Sequence, residues 1–67
     1  MRFREAFFEM LNGKHIAHEL WKGGYWAWEN NTIMIHCHDG KTLDIRETEN
    51  VAYTMGFIIE DRWYVKE

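Results

Sequence analysis

The run Tyr25-Trp26-Ala27-Trp28-Glu29-Asn30-Asn31-Thr32-Ile33-Met34-Ile35-His36-Cys37-His38-Asp39-Gly40 decides the fold. Alternation over 25–29 puts Trp26 and Trp28 on one face and Tyr25 and Ala27 on the other, the period of a strand. Asparagine tolerates positive φ, so Asn30-Asn31 reads as a hairpin turn into the β-branched and apolar run 32–38. Asp39-Gly40 is a second hairpin turn, after which Lys41 to Ile45 returns antiparallel. Three strands therefore form a meander.

Upstream, Phe3, Ala6, Phe7, Met10 and Leu11 fall at i, i+3, i+4, i+7 and i+8, with Arg4, Glu5 and Glu9 on the other side, which predicts a helix over 3–12. Gly13 is placed to take the left-handed cap. Residues 14–20 suit a short strand laid against that helix, with Ile16 and Ala17 inward, and 21–24 form a turn. Downstream of Arg46, Val51, Met55, Ile58 and Ile59 recur at helical spacing, with Thr48 as the cap and Glu47 and Glu49 where a helix dipole favours anions. The alternation in 62–66 suits a closing strand paired with an early one. The expected fold is α+β over a single domain, 1–67: an N-terminal helix packed on a small antiparallel β-meander, a second short helix and a C-terminal strand.

Composition narrows the function. Sixty-seven residues exclude a two-domain enzyme, and 46% hydrophobic with 16% aromatic content excludes a disordered segment. Eight Lys and Arg against eleven Asp and Glu leave a net charge of −3, the wrong sign for a general duplex-binding protein. Any anionic ligand must be met locally. One cysteine, Cys37, excludes an internal disulfide and points to a reducing compartment, the cytosol. With no long apolar run, the chain reads as soluble and unprocessed, with no membrane partner.

Catalytic and metal chemistry find little support in the residues. His36 and His38 project to one face of a strand, but a metal site needs further ligands, and the pair reads as solvent-facing. Cys37 points away from both and reads as a small core residue rather than a nucleophile. Glu60-Asp61 and Glu47/Glu49 read as solvated charges. No nucleophile, base and oxyanion group can be assembled, so no enzyme, catalytic residue, metal or cofactor is expected.

The aromatic cluster Trp21, Tyr25, Trp26 and Trp28 is more informative, because four large rings within eight residues exceed what one face of a small sheet needs for its core. An exposed indole beside the Lys22-Gly23-Gly24 turn could stack a purine while Lys14, His15, His18 and Lys22 meet its phosphates. The equal alternative makes Trp26 and Trp28 core or dimer contacts. The candidate ligand-binding set is Lys14, His18, Trp21, Lys22, Gly24 and Trp26.

The order FREAFFEMLNGKHI (3–16), WKGGYWAWE (21–29), IMIHCHDGK (33–41) and GFIIEDRWYV (56–65) resembles the short phage proteins related to the second type of Thoeris anti-defence sponge. Phe3, Glu5, Ala6, Gly13, Lys14, Trp21, Asp61, Trp63 and Val65 fit that family's pattern. His15-Ile16-Ala17-His18 stands where the family has paired arginines, Arg62 splits the acidic-Trp pair, and a central insertion is missing. The resemblance implies a phage-encoded homo-oligomer in the host cytoplasm that sequesters a cyclic nucleotide immune signal without destroying it. The alternative it implies is a small inhibitor that binds a host defence protein, such as a CRISPR nuclease, by protein–protein contact.

Overall fold

The two asparagines at the centre of the chain adopt the left-handed conformation, Asn30 at φ 54° and Asn31 at φ 64°, the signature of a type I′ hairpin. They join β2 (Tyr25–Glu29) to β3 (Thr32–His36), which pair antiparallel with Trp26 opposite Ile35 and Trp28 opposite Ile33. Gly40, at φ 93°, turns the chain into β4 (Thr42–Asp44), completing the expected meander. This computed structural model describes residues 1–66.

The meander is extended by β1 (His15–His18) beside β2, and by β5 (Trp63–Lys66) beside β1, giving one antiparallel sheet in the order β4-β3-β2-β1-β5. The closing strand thus pairs with the first strand, Ile16 opposite Val65 and His18 opposite Trp63. The register brings Ile16, Trp26, Trp28, Ile33, Ile35 and Trp63 to one face of the sheet.

Helix α1 (Phe3–Leu11) covers that face. Glu5 accepts the backbone N–H of Arg2 at 3.1 Å to close its start. At its end Gly13, at φ 93°, donates to Met10 O at 3.0 Å and Lys14 to Glu9 O at 3.2 Å, a Schellman stop. Ala6 and Met10 are fully buried against Ile16, Trp26, Phe57 and Trp63, and Phe3 sets its ring edge on both Trp26 and Trp63. Leu11, expected inward, is exposed, although its neighbour Met10 in the same last turn is fully buried.

The other cover of the face is smaller. A 3₁₀ turn, η1 (Ile45–Glu47), leads to α2 (Val51–Gly56), six residues long. The cap of α2 is Asn50, whose side chain accepts the Tyr53 N–H at 3.0 Å, and not Thr48, whose hydroxyl instead bonds that of Thr54 at 3.0 Å. With the helix so short, Thr54 and the following Phe57 fill the inward positions, and Val51, Met55 and Ile59 point to solvent. Of the four residues at helical spacing only Val51 and Met55 lie within α2; Ile58 and Ile59 lie beyond its end, Ile58 packed against the core and Ile59 exposed.

On the sheet's open face three rings lie flat against one another. His15 stacks on Tyr25 with centroids 4.1 Å apart, and Tyr25 on His36 at 4.4 Å. Ala17 and Ala27, on this same face, are nevertheless buried. Ala17 therefore belongs to the open face rather than to the helix-covered one.

No helix of the described residues is long and apolar enough to cross a membrane.

Candidate functional site

The residues that follow β1 cannot continue as a strand. Trp21 N–H donates back to His18 O at 3.0 Å, and Gly24, at φ 84°, turns the chain into β2. A methyl group on Gly24 would lie 2.5 Å from the carbonyl oxygen of His36, and one on Gly23 would lie 3.1 Å from Cβ of His38. The double glycine thus lets the β1–β2 loop lie directly on the end of β3, an approach only a residue without Cβ allows.

Beside this corner opens a cavity of about 550 Å³, within the range of small-molecule sites. Its walls are the loop 20–24, the end of β3 with Cys37 and His38, Leu43 of β4, and the segment from Thr48 to Phe57. Trp21 is the half-buried ring of the site, with centroids 5.4 Å from Trp26, 5.1 Å from Trp63 and 5.5 Å from Phe57. The aromatic excess in the sequence therefore divides. Trp26 and Trp63 are enclosed, at 3% and 1% exposure, while Trp21 and Trp28 keep part of their surface open.

Of the six expected ligand residues, Trp21, Lys22, Gly24 and Trp26 come together around the cavity. Trp26 lies too deep to offer a ring face, whereas Trp21 keeps part of its surface open. Lys22 forms no ion pair with any described residue.

His18 and Lys14 lie elsewhere. The His18 side chain is fully buried beneath the cavity's aromatic floor, edge-on to Phe57 and Trp63. Its Nδ1 accepts the Leu20 backbone N–H at 3.2 Å, which leaves Nε2 to donate to Asp61 O at 2.7 Å. Both nitrogens are occupied in holding the loop and the start of β5, so this ring positions Trp21 and does not meet an anion. Lys14 pairs with Glu9 at 3.1 Å and lines a separate dent with Gly13, His15, Val65 and Lys66.

Cys37, expected in the core, is half-buried in the cavity wall, because the chain leaves the sheet after His36 to make the Gly40 turn. His36 is not free on the surface. Its Nε2 sits 3.1 Å from a Glu29 carboxylate oxygen and its Nδ1 3.4 Å from the Thr42 hydroxyl, on the open face. His38 is exposed at the cavity rim. Among the described residues no three His, Cys, Asp or Glu side chains come close enough to hold a metal ion.

The wall that the sequence did not reveal is the segment leading into and through α2, with Thr48, Asn50, Tyr53 and Thr54. The one local signal was a polar Thr54 within an apolar run. On the far rim of the sheet, Arg46 donates to the Asp44 carboxylate from Nε at 3.0 Å and from a terminal nitrogen at 2.6 Å. These hydrogen bonds hold that carboxyl well below the usual carboxylate range.

No family model, no curated protein and no solved structure matches this chain.

Proposed function

We propose that the protein is a non-enzymatic binding protein that sequesters a cyclic nucleotide immune signal, the counter-defence role of the phage sponges its sequence resembles. The observation that carries this reading is the cavity at the double-glycine corner, lined by half-buried Trp21 and by Lys22, which forms no ion pair with any described residue. A base stacked on Trp21 gains about 1–3 kcal/mol, while a phosphate meets Lys22. Binding is stoichiometric: each occupied cavity removes one signal molecule from the free pool. Self-association, which the same resemblance implies, would use the apolar surface around the cavity.

Thermal unfolding with a panel of cyclic nucleotides tests the reading. A ligand present at 100 times its Kd stabilises the fold by about 2.7 kcal/mol. Trp21→Ala is expected to abolish that shift while leaving a folded protein. A panel that moves the transition nowhere overturns the sponge.

A second reading, contact with a host defence protein such as a CRISPR nuclease, rests on a separate observation. Leu20, Val51, Tyr53, Met55 and Ile59 expose between 40% and 90% of their surface around the same end of the molecule, an apolar area of the kind that marks protein contacts. Capture of a host protein that Ile59→Ser and Val51→Ser prevent, with no nucleotide shift, is the result that favours it.

A further inference from the structure

The two walls of the cavity are held in different ways. At the glycine corner, Glu19 N–H donates to Arg62 O at 3.2 Å, Leu20 N–H to His18 Nδ1 at 3.2 Å and Trp21 N–H to His18 O at 3.0 Å, while Gly24 O accepts from Lys66 Nζ at 3.2 Å. That wall is tied to β1, to β5 and to the turn before β5. The opposite wall, residues 48–56, makes no hydrogen bond or ion pair to α1 or to the sheet among the described residues.

Its bonds close on themselves. Asn50 accepts the Tyr53 N–H with its side chain and the Thr54 N–H with its carbonyl. The hydroxyl of Thr54, the one buried residue of α2, is met by that of Thr48 at the other end of the segment. Moving the segment off the sheet therefore breaks no hydrogen bond to the strands or to α1 and uncovers little beyond Thr54.

Both ends are fixed. Before the segment, Arg46 and Glu47 of η1 bond to Asp44, which also accepts the Thr32 hydroxyl of β3 at 3.3 Å. After it, Phe57 is buried and its carbonyl accepts the indole N–H of Trp63 at 2.8 Å. The joint in front of that second anchor is Gly56. A Cβ there would meet no atom within 4 Å, and its φ is not positive, so neither space nor backbone requires a glycine. What glycine supplies at the end of a helix is freedom of φ and ψ.

We propose that residues 48–56 form a lid hinged at Gly56, which swings between its two anchors to admit and retain a ligand while the corner with Trp21 and Lys22 stays fixed. Lid motions of this kind fall in the μs–ms range. The device governs access, so it serves whichever ligand the cavity takes.

Amide nitrogen relaxation dispersion on the free protein tests it. Exchange with one shared rate is expected at the amides of 48–56, and none at those of α1 or of residues 20–24. Gly56→Ala is expected to slow the shared rate about tenfold, with the resonances of α1 and the sheet unmoved. Flat profiles across 48–56, the same exchange at residues 20–24, or a rate that Gly56→Ala leaves unchanged overturns the lid. No ligand enters the measurement, so a failed lid leaves the nucleotide reading standing, and a failed nucleotide panel leaves the lid.

Discussion

One face of the sheet is covered twice, and the two covers differ. Under α1, nine residues with a closed start and a glycine stop press Ala6 and Met10 into Ile16, Trp26 and Trp63, and those side chains are lost to solvent entirely or nearly so. Under α2, six residues reach the same aromatic floor with only Thr54 and Phe57 buried, and a cavity remains. The first half of the face is filled by side chains; the second keeps open space in front of it. A helix too short to present two inward turns cannot close the space in front of it, which makes the length of α2 itself the origin of the site.

The contrast can be broken most forcefully from the α1 side. Met10 is fully buried, so Met10→Ala is expected to lower stability by about 3 kcal/mol in urea unfolding. A loss below about 1 kcal/mol would mean that the α1 side is as loosely filled as the α2 side. Gly24→Ala places a methyl 2.5 Å from a backbone oxygen at a positive φ. It is expected to cost about 2 kcal/mol and to reshape the cavity. Unchanged stability there would show that the corner gives way and that the wall is soft.

A smaller effect carries a sign with pH. Because Arg46 hydrogen bonds lower the proton affinity of Asp44 in the folded chain, the carboxylate contributes stability above the unfolded value, about pH 4. That contribution is lost as pH falls from there through the lower folded-state value. Wild type is therefore expected to exceed Asp44→Asn in urea midpoint at pH 7, with the gap narrowing below about pH 4. A gap that widens on acidification contradicts this ordering. Smallest of all, Val51→Ser and Ile59→Ser are expected to change stability by no more than about 0.5 kcal/mol, since both side chains already face solvent. A loss above 1 kcal/mol would show that α2 is packed after all.

The sequence made the sheet legible because its signals were local. Asn30-Asn31 and Asp39-Gly40 fix two hairpins, and the alternation of Trp26 and Trp28 fixes which face is covered. Half of the site was legible for the same reason, since Trp21, Lys22 and Gly24 are neighbours in the chain. The other half comes from Thr48 to Phe57, roughly 30 residues away, and only the return of the chain over the sheet brings it near. Helical spacing misled at Val51 and Met55, because periodicity shows that apolar residues share a face without saying whether that face is covered, and at Ile59 because the helix ends at Gly56; Ile58 alone of the four packs against the core. His18 misled differently: a histidine beside a basic segment looks like a ligand until its two nitrogens are found bonded to Leu20 N and Asp61 O.

Three indoles, Trp21, Trp26 and Trp63, have centroids within 5.1 to 5.4 Å of one another. At that spacing their electronic transitions couple, so they absorb as one chromophore whose circular dichroism depends on the angles between the rings. Since Trp21 and Trp26 both line the cavity, any change in the angle between those rings there would register in that signal, readable without a dye or a label.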